Sequence, residues 1–143
     1  MRFSTILTVT TFTAIRNAER RQVAKLQKLA VAALEDIKGK DITVINTVKL
    51  TALFDRLIIA TGDSNRQVKA LAKSVHDKVK EAGGEVIGME GEDTGEWVLV
   101  DLGDVVVHIM QPAIRAYYNL EELWQTTPAA RKARGAKAAA ERE

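Results

Sequence analysis

Cysteine is absent from the 143 residues, which removes disulfides, thiolate zinc ligands and thiol nucleophiles together. No apolar run approaches the roughly 20 residues of a membrane span, so a soluble protein is expected. Serine is rare (Ser4, Ser64 and Ser74), histidine rarer (His76 and His108), and none stands in a nucleophile-elbow context such as G-x-S-x-G. Aromatic residues make up only 5% of the chain, and apart from phenylalanine they all follow residue 96, as Trp97, Tyr117, Tyr118 and Trp124. What remains is a chain of single-domain length, long enough to bury a core, with 46% hydrophobic and 28% charged residues.

The formal charge of +2 conceals a split. Residues 1–22 carry four arginines and one glutamate, and residues 127–143 carry five basic and two acidic side chains. The intervening 23–126 has 12 basic and 16 acidic residues, and 81–114 holds eight acids with no lysine or arginine. An acidic surface of that kind repels phosphate backbones, so no specific nucleic-acid partner is expected, and it suits a basic protein partner. The chain therefore divides into an N-terminal extension (1–22) expected to be disordered, a folded domain (23–126), and a basic, alanine-rich tail (127–143) expected to be disordered. The arginine-rich, acid-poor start also has the composition of a transit peptide.

Periodicity orders the domain. Val23, Leu26, Ala30, Ala33, Leu34 and Ile37 share one stripe of a helix that Gly39 stops. Strands follow at Asp41–Asn46 and Phe54–Thr61. Gly62 breaks the second, and Asp63 or Ser64 caps a helix with Val68, Leu71, Ala72, Val75, Val79 and Ala82 on one face, ending at Gly83-Gly84. A third strand is expected over Glu85–Met89. The run "GEWVLVDLGDVVVHIM" then divides into strands Trp97–Asp101 and Asp104–Met110 around a Leu102-Gly103 turn. Pro112 opens a last helix reaching Leu123 or Trp124. The order α-β-β-α-β-β-β-α predicts an α/β protein with a mixed five-stranded sheet covered by helices.

The sharp enzymatic reading is magnesium-dependent nucleotide binding or nucleotidyl transfer, with the helix opened by "ATGDS" holding a phosphate and Asp101 and Asp104 holding the metal. Spacing opposes it. Carboxylates on one face of a strand need an i, i+2 separation, whereas these two are three apart and flank a turn, and Glu85 and Glu90 are five apart. A glycine turn with a capped helix is explained by capping alone. His76 falls at the margin of a helical stripe. His108, between Val107 and Ile109 on an apolar strand, fits a hydrogen-bonded structural residue better than a base. Trp97 follows an acidic loop containing Glu90, Glu92, Asp93 and Glu96. It fits equally a core residue or an exposed anchor with an acidic rim, and the residues leave these alternatives open.

Taken together, "LQKLAVAALEDIKGKDI", "LIIATGDSNRQVKALA", "GEWVLVDLGDVVVHIMQP" and "YYNLEELW" resemble the ribosomal silencing factor family, also called iojap-like proteins. The resemblance covers about 100 of the 143 residues in order, and the pattern W-x-x-x-D-x-G-D-x-x-V-H-x-M is specific. It implies a fold related to nucleotidyltransferases without their catalytic acids, no cofactor or metal, and no enzymatic activity. It implies binding to the large ribosomal subunit through the fourteenth large-subunit ribosomal protein, which blocks joining of the small subunit and represses translation. A homodimer and a cytoplasmic location are implied as well, with mitochondrial or plastid relatives as the alternative. Position by position, Trp97 and Tyr118 match aromatic contact residues, Asp101, Asp104, His108 and Met110 match the signature, and Ser64 and Arg66 match the helix-opening segment. Glu90 and Glu92 join the expected partner-binding set through the acidic rim.

Overall fold

The computed structural model describes residues 2–125, with side chains over 13–124; the expected basic tail lies outside the described residues. In chain order the elements are α1 (Arg2–Asp36), β1 (Lys40–Asn46), β2 (Arg56–Thr61), α2 (Asn65–Glu81), β3 (Gly88–Glu90), β4 (Trp97–Asp101), β5 (Val105–Met110), α3 (Pro112–Tyr118) and α4 (Leu120–Gln125). One sheet of order β1-β2-β5-β4-β3 holds all five strands. β2 and β5 are parallel, and the other neighbouring pairs are antiparallel. The mixed α/β sheet expected from the sequence is therefore present.

The two central strands are the most apolar. Leu57 to Thr61 of β2 and all of β5 except His108 are buried, as a pair covered on both faces requires. On one face, Ile58, Ala60, Val98, Val100, Val107 and Ile109 pack under α1 and α2, which contribute Ala30, Ala33, Leu34, Val68, Leu71, Val75 and Val79. Ser64 caps α2, its Oγ accepting from the Gln67 N–H at 3.1 Å, and Lys78 and Lys80 complement the dipole at its other end. Gly62 permits the close join of β2 to α2: a Cβ there would lie 2.8 Å from Val68 Cγ2.

Several boundaries differ from the sequence expectations. The extension expected to be disordered is helical, because α1 begins at Arg2. It contains no glycine or proline, and adding residues to an existing helix avoids the cost of nucleation. Its described side chains, 13–22, are all exposed, and burial begins at Val23. The third strand is short, Gly88–Glu90 rather than Glu85–Met89, since α2 is closed by Gly83 in the left-handed region (φ 81°) and pairing with β4 starts only where Gly88 meets Asp101. The β4–β5 turn is centred one residue later than expected, on Gly103-Asp104, with the Leu102 N–H donating to the Val105 carbonyl at 2.9 Å. The last helix is two: Asn119 adopts φ 47°, ψ 54°, ending α3, a conformation asparagine tolerates better than most residues.

Candidate functional site

The second face of the sheet is defined by register. Glu90 of β3 lies opposite Leu99 of β4, Leu99 opposite His108 of β5, and His108 beside Ile59 of β2. Trp97 lies opposite Met110 in the adjoining row. Toward β1, this face is covered by Ile114, Leu120 and Trp124 of α3 and α4, with Phe54 against Trp124 at 5.3 Å between ring centroids. Toward β3, no helix covers it among the described residues, leaving Leu99 and His108 partly exposed and Glu90 exposed.

Trp97 spans the boundary between the two halves. Its ring packs on the second core cluster, and its Nε1–H donates to His108 Nδ1 at 2.9 Å. Tyr118, at the end of α3, packs against it with the rings tilted by 49° and 4.9 Å between centroids, and Tyr117 meets Tyr118 edge-on at 5.0 Å. Exposure rises along this ladder, from partly buried Trp97 to 52% for Tyr118 and 82% for Tyr117. Neither of the two sequence readings of Trp97, core or anchor, holds alone; it is a packed base on which an exposed tyrosine pair is mounted.

His108 acts on this ladder from behind. Burial away from solvent pulls its pKa down from 6.5 to about 4, because the charged imidazolium loses hydration. The geometry agrees: Nδ1 accepts from the indole, so the neutral ring carries its proton on Nε2. A neutral, hydrogen-bonded histidine fixes the tryptophan ring, which is the structural role the sequence favoured.

The remaining predicted residues separate. Asp101 Oδ1 accepts the Gly103 N–H at 2.8 Å and so braces the β4–β5 turn. Asp104 is exposed, while its carbonyl receives the N–H groups of Asp55 and Arg56 at 2.7 and 3.1 Å. Glu92 is exposed in the β3–β4 loop, beside Gly91. Met110 corrects the expected contact set: with 0% exposure it fills the core beneath Trp97 and presents nothing to a partner. A fully buried strand position opposite a tryptophan is a packing site. Ser64 is the α2 cap and Arg66 is exposed on the first turn of that helix.

Three residues outside the predicted set position the site. Arg115 reaches from α3 to Thr61 Oγ1 (2.8 Å) and Thr43 Oγ1 (3.1 Å) and pairs with Glu121, pinning α3 and α4 to the sheet. Gln111 hydrogen-bonds both Asn65 and the Gly95 carbonyl, tying the start of α2 to the loop that delivers Trp97. Gly91, at φ 86°, passes so close to Trp97 that a Cβ would lie 2.0 Å from its carbonyl oxygen. A single glutamine or arginine gives no spacing signal; only the three-dimensional meeting of distant segments reveals such roles.

The enzymatic alternative finds no support in this geometry. At the "GDS" helix start, the Asp63 N–H donates to Gln67 Oε1, the Gln67 N–H to Ser64 Oγ and the Val68 N–H to the Ser64 carbonyl, so those donors are occupied by the chain itself. The Asp63 carboxylate pairs with Lys40. Among the described residues no group of three histidine or carboxylate side chains is arranged to hold a metal ion.

Comparison with known proteins identifies relatives of the chain. A family model described as "Ribosomal silencing factor during starvation" matches residues 20–143. A protein of Chromobacterium violaceum named ribosomal silencing factor is 64% identical over 103 residues, covering 72% of this chain and 84% of the relative. A Bacillus subtilis protein of the same name is 44% identical over 103 residues, covering 72% and 87%. A crystal structure of a Chromobacterium violaceum protein, 63% identical, superposes with a TM-score of 0.72 over 73% of this chain and 88% of that one.

Proposed function

The chain belongs to the ribosomal silencing factor family, whose members regulate translation at the ribosome, and from that premise we propose that it binds the large ribosomal subunit and represses translation without catalysis. The contact is a basic protein of that subunit, the fourteenth in the family resemblance. Seated there in the cytoplasm, the factor obstructs the small subunit by its bulk.

The observation that carries this reading is the Trp97–Tyr118–Tyr117 ladder, mounted at the border of a sheet face that no helix covers among the described residues and whose edge strand carries Glu90. Partly buried aromatic groups are the common energetic centre of protein interfaces, and they work best where the surrounding contacts exclude water. Glu90, Glu92, Asp93 and Glu96 form an acidic rim preceding that centre in the sequence; Lys69 of α2 donates to the Asp93 carbonyl and with Lys73 lines the pocket that holds Glu92, so two cations partly offset it. Such a rim steers a basic partner and makes its capture salt-dependent.

Silencing by occupancy needs affinity and position only, which agrees with a site built from aromatic packing and backbone bracing. The test is co-sedimentation of the purified protein with isolated large and small subunits, with Tyr118→Ala in parallel. Tyr118 is half-exposed, so its truncation should preserve the fold while costing about 2 kcal/mol of binding. Binding to large subunits alone, weakened at least tenfold in a folded Tyr118→Ala protein, supports the proposal. Equal binding to both subunits, or an unaffected variant, refutes it.

A further inference from the structure

A second surface lies at the other edge of the sheet. There α1, β1, the loop after β1 and α4 enclose an open groove of about 790 Å3. Its charged lining is Arg20, Lys49, Arg56 and Asp55, Asn46 and Trp124 add polar and aromatic surface, and Val23, Val44, Ile45, Val48 and Leu50 form an aliphatic floor between them. Among the described residues none of these three cations is paired with a carboxylate. Arg56 is held by neutral acceptors instead, its Nε donating to Gln27 Oε1 at 3.1 Å and its Nη1 to the Asp55 carbonyl at 2.9 Å. The guanidinium is thus fixed in place with its charge uncompensated except by the single carboxylate of Asp55.

The positive lining continues along α1. Arg20 lies on the stripe of α1 that also carries Val23 and Gln27, the residue that accepts from Arg56. Residues 13–22 are exposed all round, so this part of the helix stands clear of the sheet as a basic arm leading into the groove. The strand order places β1 and β3 at opposite edges. Four strand spacings amount to roughly 19 Å, about twice the screening length at physiological salt, so the acidic rim does not neutralise this surface.

We propose that the groove and the adjoining arm of α1 form a docking surface for an RNA phosphate backbone, with Arg20, Lys49 and Arg56 on phosphates and Trp124 beside an unstacked base. An elongated basic arm leading into an open groove suits a polyanion better than a small anion, which an enclosed pocket would hold. Trp124, braced by Phe54, supplies the π-face that single-stranded segments use. This surface is separate from the aromatic ladder and does not depend on the ladder's assignment.

The test is fluorescence polarisation of a labelled RNA hairpin of about 20 nucleotides, using the full chain between about 50 and about 200 mM salt. Arg20→Ala/Lys49→Ala alters two exposed side chains, and its fold is checked by circular dichroism and its urea midpoint. The expected result is at least tenfold weaker binding at low salt, with a log–log salt slope shallower by about 1.5, since each lost phosphate contact removes about 0.7–0.9. A tail variant (Arg131→Ala/Lys132→Ala/Arg134→Ala) and Tyr118→Ala run alongside, and the inference expects each to retain most of the binding. No RNA binding at the lowest salt, an unchanged Arg20→Ala/Lys49→Ala slope, or loss confined to the tail variant would overturn it. Displacement of the RNA by polyglutamate at equal charge concentration would overturn it too, by making an acidic protein segment the better occupant. Co-sedimentation repeated in the Arg20→Ala/Lys49→Ala background keeps the two surfaces apart, because both subunits carry RNA and the removal of the groove's cations leaves only the ladder's contribution to be read.

Discussion

Acidification should loosen this protein through one histidine. His108 is neutral in the folded state, with Nδ1 accepting the Trp97 indole N–H at 2.9 Å and its pKa lowered by burial from 6.5 to about 4. The unfolded chain, with its solvated imidazole, takes up a proton first. Stability from this group is therefore complete above about pH 6.5 and is lost as pH falls from 6.5 toward 4. At pH 5 the unfolded histidine is almost fully charged and the folded one is not, a difference of about 2 kcal/mol, rising to about 3 kcal/mol below pH 4. Protonation of Nδ1 would also set two donors against each other, breaking the link that holds the tryptophan. Urea unfolding of the wild type and His108→Gln at pH 7, 6 and 5 isolates the effect, because a glutamine side chain can still accept the indole N–H but does not titrate. The wild type should lose about 2 kcal/mol more than His108→Gln between pH 7 and pH 5. Equal losses in the two proteins, or a His108 ring that titrates near 6.5 by NMR, would refute the coupling of burial to this hydrogen bond.

Other perturbations test the supports of the same site. Arg115→Met should cost about 2–4 kcal/mol, because it leaves Glu121 without its cation and removes the charged donor from two threonine hydroxyls; chemical denaturation followed by Trp124 fluorescence gives the value, and hydrogen exchange should show α3 and α4 opening first. Gly91→Ala should cost about 2–4 kcal/mol, since its Cβ would meet the Trp97 carbonyl at 2.0 Å with φ at 86°; a loss near zero in urea unfolding would contradict the close approach. Ser64→Ala should cost about 1 kcal/mol through loss of the α2 cap, with subunit binding unchanged when measured on the folded protein.

Much of this architecture was legible in the sequence, and the exceptions have physical causes. α2 was readable because its apolar spacing, its serine cap and its closing glycines all agree, and β4 and β5 because apolar runs of strand length flank a glycine turn. The short β3 was misplaced because an edge strand with one buried face and few pairing partners carries little pattern. The break at Asn119 was missed because a single asparagine is neutral evidence until α3 is pinned by Arg115 and the chain has to turn to bring Leu120 and Trp124 onto the sheet. The helical extension was missed for a different reason: its sequence carries no amphipathic signal, its described side chains at 13–22 are exposed, and its helicity is propagated from the buried half of α1.

The candidate site shows the same division. Trp97, His108 and Tyr118 were each among the residues expected at the partner contact, and the chemistry joining them is a matter of register and not of spacing. Trp97 and His108 are 11 residues apart and meet because β4 and β5 pair antiparallel, placing Trp97 opposite Met110 and Leu99 opposite His108. A shift of one residue in that register would send His108 into the α2 side of the sheet and Trp97 away from Tyr118, since neighbouring strand residues face opposite ways. Met110 looked equivalent to its signature partners for the same reason: one-dimensional spacing does not distinguish the side chain beneath the tryptophan from those beside it. The register is fixed by the two-residue turn at Gly103-Asp104, which Asp101 braces, and by Gly91, which admits the Trp97 backbone. Aspartate and glycine in this signature therefore support the aromatic ladder as turn and clearance residues, and their place in the pattern requires no catalytic or metal-binding role.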